Sequence, residues 1–418
     1  MKLGVLGGTF NPIHCAHIEM AVLARDKLAL DGVLLMVAAD PPHKTVDHGV
    51  SAADRLQMVR LAVENLDGII ACDLELMRDG KSYMADTLVT LRNMADDCTL
   101  YLILGSDMLL DLPNWYRPDV VMQLAKIACI PRLGQEETDA TAAAHLQNEF
   151  GAEVLFLPSQ VQKLSSTEIR DRLEAGLPIF NLVPPEVERY CYESGVYFSS
   201  AIRRMQQILK KALYNKRYIH TMGVVQAAAM LAYRWHAPAE KAQIAALLHD
   251  CAKCLDPVTL SVLSGDDTEI VPVWHAFAGA VIALTQYGVT DQHVLRAIRL
   301  HSTGDRDMTL LDKLVYLADL IEPNRTYPGV EEFRAAIEQG PDAALLLALI
   351  RSKALVTGTG RGGQFHPASE RALLQLQEQG EKVDCLAGKR DCDGSAAAGQ
   401  AAQEQGCAMR LRCVLDDG

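Results

Sequence analysis

No apolar run in this sequence reaches the roughly 18 residues needed to cross a bilayer, which argues against a membrane-spanning protein. Positive charge is also in short supply: 40 lysines and arginines face 53 aspartates and glutamates, for a net charge of −13. That balance speaks against a nucleic-acid surface as the main business. Small anionic substrates need only local positive potential and stay open. The 11 cysteines lack any regular spacing before the last part of the chain, so no disulfide framework is read from them. Cys251-Ala252-Lys253-Cys254 has no second cysteine pair nearby and no thioredoxin-like strand before it. It reads as helix packing rather than a redox or zinc motif. Met1-Lys2-Leu3-Gly4 reads as the start of a strand and not as a signal peptide. These absences together point to a cytoplasmic protein with reduced thiols and no membrane partner.

What is present divides the chain. At 418 residues it is too long for one ordinary core, and roughly 150 residues per domain suggests two or three. Short, nearly continuous apolar runs occur at 3–6, 33–37, 69–72, 100–104, 127–130 and 154–157, as in buried parallel strands. Helical stretches separate them. One, over 54–66, has Val59, Ala62, Val63 and Leu66 on one face and a capping box at Ser51/Asp54. Residues 1–198 therefore read as a doubly wound α/β domain. From 201 to 380 strand signals vanish and alanine- and leucine-rich amphipathic segments follow one another, at 221–234, 239–249, 291–301 and 310–321, giving an all-α domain. Residues 381–418 turn low in complexity, with Cys385, Cys392, Cys407 and Cys413 in no compact pairing pattern, and are expected to be a disordered tail.

In the α/β half, four segments follow strands: Gly7-Gly8-Thr9-Phe10 with His14 and His17, Pro41-Pro42-His43-Lys44, Gly105-Ser106-Asp107, and Ser165-Ser166-Thr167 with Arg170. Ligands in open α/β sheets bind at the carboxyl ends of the strands, so segments scattered in sequence converge there. Two glycines let backbone approach a phosphate. His14 and His17 can donate to phosphate oxygens and stabilise charge on leaving pyrophosphate. Ser165 to Glu168 fits a capping box that presents Ser166, Thr167 and backbone N–H groups at a helix start. Lys44 and Arg170 add fixed positive charge, and Asp107 can accept from a ribose hydroxyl or orient a magnesium shell.

These segments, with Ser82-Tyr83, Asp86-Thr87-Leu88 and Asn114-Trp115, resemble those of bacterial nicotinate-nucleotide adenylyltransferases over about residues 1–198. The resemblance implies a Rossmann-like nucleotidyltransferase fold and transfer of the adenylyl group of ATP to nicotinate mononucleotide with Mg2+. By the same resemblance His14, His17, Lys44 and Arg170 are catalytic. Gly7, Gly8, Thr9, Phe10, Tyr83, Thr87, Gly105, Ser106, Asp107, Trp115, Ser165, Ser166 and Thr167 bind substrates, with Trp115 against the pyridine ring. The chain departs at Ser82-Tyr83-Met84, where the family usually has Ser-Tyr-Thr. Nicotinamide mononucleotide or another phosphate acceptor therefore stays open.

In the helical half, His249-Asp250 closes an alanine–leucine helix, and adjacent His and Asp offer a nitrogen and an oxygen to a divalent metal. His220 and His275 lie near helix starts. Asp319 sits in an apolar helix, where a buried carboxylate needs a partner. His301 shares a face with Val294, Ala297 and Ile298. Six such residues in one helical domain read as a metal site, whereas His236, His293 and His366 read as surface residues. The pattern resembles the HD-domain phosphohydrolases, and more narrowly the symmetrical bis(5′-nucleosyl)-tetraphosphatases of the YqeK type. That resemblance implies two iron ions or another divalent pair on His220, His249, Asp250, His275, His301 and Asp319, and cleavage of diadenosine tetraphosphate into two ADP. Lys253, Arg306 and Arg325 are candidates for phosphate charge. Hydrolysis of another nucleotide, or a nucleotide sensor without catalysis, is the alternative for this half. Oligomeric state, a homo-oligomer included, is left open.

Overall fold

The computed structural model describes residues 1–40, 50–78, 80–131, 134–157, 161, 163–266, 268, 270–358 and 363–386. The chain divides into two compact units. The first holds residues 1–304 and 308–345, and the second holds 305–307 and 346–418.

The first unit opens on six strands: β1 (Lys2–Gly8), β2 (Gly32–Val37), β3 (Ile69–Cys72), β4 (Thr99–Gly105), β5 (Ala125–Ile130) and β6 (Val154–Phe156). They form one parallel sheet of order β3-β2-β1-β4-β5-β6. All six apolar runs of the sequence are strands here, because a sheet covered on both faces needs continuous apolar strands. Helices α1 (Cys15–Leu28), α2 (Ala52–Val63), α3 (Met84–Met94), α4 (Ser106–Asp111), α5 (Pro118–Leu124), α6 (Glu136–Phe150), α7 (Ser166–Glu174) and α8 (Pro185–Ser194) complete this part. Ser51 and Asp54 close the expected capping box at the start of α2. At Gly4 a side chain would sit 2.8 Å from Leu30 and 2.9 Å from Ile103, so only glycine lets these residues close on β1. Strand order reverses between β1 and β4, which opens a crevice at their carboxyl ends.

Helices α9 (Ser200–Ala212), α10 (Asn215–Arg234), α11 (Ala239–Leu248), α12 (Pro257–Ser264), α13 (Trp274–Thr285), α14 (Gln292–Leu300), α15 (Leu310–Ile321) and α16 (Val330–Ile337) follow. Their core is built from small residues. Ala228, Ala242, Ala245, Ala246, Ala276, Ala278, Ala297 and Ala318 are all fully buried, which lets helix axes approach closely. Helix α17 (Pro341–Gly358) spans the boundary between the units, and α18 (Pro367–Leu386) lies in the second, where Arg371 pairs with Asp305. Helix α18 runs past residue 381, the expected start of the tail. The rest of that tail lies outside the described residues. No helix among the described residues is long and apolar enough to cross a membrane.

Candidate functional site

Two clusters gather most of the residues singled out from the sequence. The first lies at the β1/β4 crevice. The turn after β1 carries Thr9, Phe10 and Asn11 to His14, which caps α1 in extended conformation. His17, one turn on, stacks on His14 with ring centroids 3.7 Å apart, and its Nδ1 accepts from the His14 N–H at 3.3 Å. Phe10 meets His17 edge-on at 5.0 Å. Burial pulls His14 down to about 4, so it is a neutral imidazole at neutral pH. Two imidazoles stacked this closely disfavour a double positive charge.

The turn is held from far along the chain. Ser166 Oγ donates to Pro12 O at 2.9 Å, and Arg170 Nη1 donates to Asn11 O at 2.9 Å. Tyr197 OH donates to Asn11 Oδ1 at 2.7 Å. The placement of Ser166 and Arg170 differs from the expectation of free phosphate ligands. The Ser166 hydroxyl proton is used on backbone, and Arg170 Nη2 donates to Thr167 Oγ1. Ser165 caps α7 by accepting from the Glu168 N–H. Gly7 and Gly8 end β1, and Gly105 ends β4.

Other expected substrate residues are not open. Thr87 is fully buried and donates to Glu75 Oε1 at 2.6 Å. Ser106 is fully buried and donates to Asp139 Oδ2 at 2.6 Å. Both hydroxyls follow the general rule that a buried donor takes an internal acceptor, and neither acceptor lies near it in sequence. Asp107 beside Ser106 is exposed. Trp115 is half-buried, packs against the core under the sheet and keeps Nε1 buried without a hydrogen-bond partner among the described residues. The exposed aromatic is its neighbour Tyr116, whose ring lies 4.4 Å from that of Tyr83. Met84 fills the place of the usual threonine, with its methyl against Gly7. Lys44, in Pro41-Pro42-His43-Lys44, lies outside the described residues.

The second cluster lies among α10, α11, α13, α14 and α15. Asp250 is at its centre. Its Oδ2 is 3.4 Å from His249 Nε2 and 3.8 Å from His220 Nε2, while its Oδ1 is 3.2 Å from His275 Nε2 and 3.7 Å from His301 Nε2. Two ligand triads follow, His220–His249–Asp250 and Asp250–His275–His301, and Asp250 belongs to both. His220 Nε2 lies 3.0 Å from Asp319 Oδ1. Burial opposes the charge on Asp250, but the surrounding His249, His275 and His301 outweigh it and hold the carboxyl well below the usual range.

The imidazoles are aimed by their other nitrogens. Nδ1 of His249 lies 2.7 Å from Ala246 O, and Nδ1 of His301 lies 2.7 Å from Ile298 O. Each carbonyl can only accept, so each Nδ1 carries the proton and Nε2 is left as the ligand atom. His249 Nε2 is buried and has no hydrogen-bond partner among the described residues. His220 Nδ1 meets Glu322 Oε1 at 3.1 Å, a carboxylate that is 2% exposed. A shared carboxylate, five surrounding ligand side chains and an orphaned buried imidazole nitrogen fit a pair of divalent cations.

Arg217 Nη1 donates to Asp250 Oδ2 at 2.8 Å, Lys253 Nζ lies 3.0 Å from His275 Nε2, and Arg325 Nη2 donates to Asp319 Oδ1 at 2.7 Å. Lys253 and Arg325 thus bring two cationic side chains to the cluster. Arg306 lies in the second unit, 3.9 Å from Glu378. The sequence alone assigns no role to Arg217, Ser302 or Glu322, although all three sit in the segments that carry the candidate ligands His220, His301 and Asp319. Ser302 Oγ lies 3.1 Å from His275 Nε2 and 3.0 Å from His301 Nε2. Cys251 is buried, donating to Gly279 O, and Cys254 is exposed, so the pair forms no joint site. His366, expected on the surface, is buried in the second unit, where its Nδ1 accepts from the Ala368 N–H.

Residues 5–172 match the cytidylyltransferase-like family model and residues 217–324 the HD domain model. A probable nicotinate-nucleotide adenylyltransferase of Gloeobacter violaceus is 38% identical over 197 residues, covering 47% of this chain and 96% of that protein. One of Pelobacter propionicus is 37% identical over 212 residues, covering 47% and 98%. Among solved structures, a predicted HD superfamily hydrolase involved in NAD metabolism from Clostridium acetobutylicum is 34% identical. It covers 42% of this chain and 96% of its own, with a TM-score of 0.40. Through its α/β half the chain belongs to the nicotinate-nucleotide adenylyltransferase family, and it carries an HD domain behind that half.

Proposed function

We propose that the α/β half joins ATP to nicotinate mononucleotide, giving nicotinate adenine dinucleotide and pyrophosphate. A phosphate oxygen of the mononucleotide attacks the α-phosphorus of ATP. The bond from that phosphorus to the bridging oxygen of the β-phosphate breaks, and no covalent enzyme intermediate forms. The observation that carries the reading is the His14–His17 pair at the β1/β4 switch point, on a turn held by Ser166, Arg170 and Tyr197. His14 is neutral at physiological pH and acts as a hydrogen-bond donor to phosphate oxygen rather than as a cation. Mg2+ would shield the polyphosphate. The half-buried Tyr83 and the exposed Tyr116 beside it offer an aromatic face for the pyridine ring. Loss of pyrophosphate release in His17→Ala, with the fold intact by circular dichroism, supports this reading; a wild-type rate refutes it. Because Met84 replaces the usual threonine, the acceptor assay includes nicotinamide mononucleotide.

For the HD domain we infer metal-dependent hydrolysis of diadenosine tetraphosphate to two ADP. His220, His249, Asp250, His275, His301 and Asp319 would hold two divalent cations, which supply Lewis acidity for attack of water on phosphorus. Lys253 and Arg325 bring positive charge to the same cluster and would orient the phosphates. The test is product analysis with the iron- or manganese-loaded protein. ADP alone supports symmetric cleavage, and ATP plus AMP refutes it. Unchanged hydrolysis in His249→Ala favours a sensor.

A further inference from the structure

We propose that Arg55 is a positioning residue for adenylyl transfer, clamping the loops that follow β1 and β2 without touching substrate. The proposal rests on the reading of the α/β half as an adenylyltransferase. Arg55, on α2, is 1% exposed. Among the described residues no carboxylate balances its charge, and burial depresses its pKa. A desolvated guanidinium without a counter-ion is costly, and its donors are spent in an unusual way. Nη1 donates to Thr9 O at 2.8 Å and to Ala38 O at 2.6 Å, and Nη2 donates to Ala39 O at 3.1 Å. Thr9 leads from β1 towards His14, whereas Ala38 and Ala39 follow β2. One buried fork therefore joins two loops at the carboxyl edge of the sheet.

The connection continues through the Ala39 peptide. Its N–H donates to Ser82 Oγ at 2.9 Å, and Ser82 interacts in turn with the buried Glu75, which accepts from Thr87. A buried cation stands at one end of this chain and a buried carboxylate at the other. Between them lie the Thr9 turn, the Ala38–Ala39 loop and the start of α3 with Tyr83. Three segments that face the crevice are thus set in register by groups that do not face it. A cation bound to a peptide oxygen also polarises that peptide, which strengthens the N–H on its other side as a donor.

The test uses the full chain and steady-state pyrophosphate release with ATP and nicotinate mononucleotide. In Arg55→Met, kcat is expected to fall by about 100-fold, because a misplaced turn misplaces His14 and His17. KM for ATP should move less than about threefold, the signature of an interaction realised in the transition state. Arg55→Lys, which keeps the charge and part of the hydrogen bonding, should recover roughly tenfold of that loss. It also keeps the test alive if the methionine variant fails to fold. Ser82→Ala should lower kcat by about tenfold, and its effect should shrink in the Arg55→Lys background, because both act on one chain of contacts. Wild-type kcat in the lysine and methionine variants, or a raised KM with unchanged kcat, overturns the proposal. A wild-type protein that releases no pyrophosphate overturns instead the reading of this half, a result seen before any variant is compared.

Discussion

Gly223→Ala is a sharp probe of the metal cluster, because two effects of opposite sign meet in it. Gly223 lies inside α10, where replacing glycine by alanine ordinarily stabilises a helix by about 1 kcal/mol. Here the added methyl would overlap Glu322 Oε2 and sit 2.9 Å from Asn324 Nδ2. The Glu322 carboxylate can swing away, so the helix itself need not unravel. To do so it must leave two partners: the Asn324 N–H, which donates to Oε2 at 2.7 Å, and His220 Nδ1 at 3.1 Å. Hydrogen bonds to a charged group contribute roughly 1.5–3 kcal/mol each, so the net result is a loss of about 2–5 kcal/mol. Freed of Glu322, His220 loses its orientation, and metal affinity should drop about 10–100-fold. The assays are thermal unfolding of the metal-free protein and a Mn2+ titration of the purified chain. A higher melting temperature with wild-type metal affinity would refute the reasoning. Glu322→Gln, which keeps the shape and removes the charge, should weaken metal binding without the steric penalty.

Asp250→Ala should bring bound metal close to zero by elemental analysis, since both triads share that residue, whereas His301→Ala should retain about one equivalent. His14 is held at about 4, and in the unfolded chain it takes a proton near 6.5. The unfolded state therefore binds more protons between those values. The stability due to this site is full above pH 6.5 and drains as pH falls towards 4, by up to about 3 kcal/mol, and His14→Gln should flatten that slope in denaturant melts. Glu188 behaves in the opposite sense: burial raises it to about 7, opposed by its bond with Gln226. Its contribution is full below 4.5 and is lost as pH rises through 7, so Glu188→Gln should stabilise the protein at pH 8 by up to about 3 kcal/mol.

The strands were legible because parallel strands covered on both faces are written as unbroken apolar runs, and such runs need no distant information. The metal cluster was legible in part for a related reason. His249 and His301 each follow a helix end whose apolar residues announce an inward face. Glu322 was not legible, since its role depends on a gap left by Gly223 about a hundred positions earlier. The same holds for Thr87 and Ser106. Each looks like an available hydroxyl in sequence, and each is taken up by a buried carboxylate from another element, Glu75 and Asp139. Arg55 was hidden most completely, because a basic residue on an amphipathic helix ordinarily belongs to the solvated face.

The ties that shape the histidine turn span the whole α/β half: Pro12 to Ser166, Asn11 to Arg170 and Asn11 to Tyr197 are 154, 159 and 186 positions apart. Synthesis on the ribosome proceeds from the amino end, so β1 and the turn exist long before the residues that hold them. Contacts of such separation form late, after the sheet has brought the chain ends together. A nascent chain halted before residue 197 would carry both histidines and Arg170 yet lack the Tyr197 anchor on the Asn11 side chain, and so the turn would reach its working shape only as the first helix of the HD half begins to emerge.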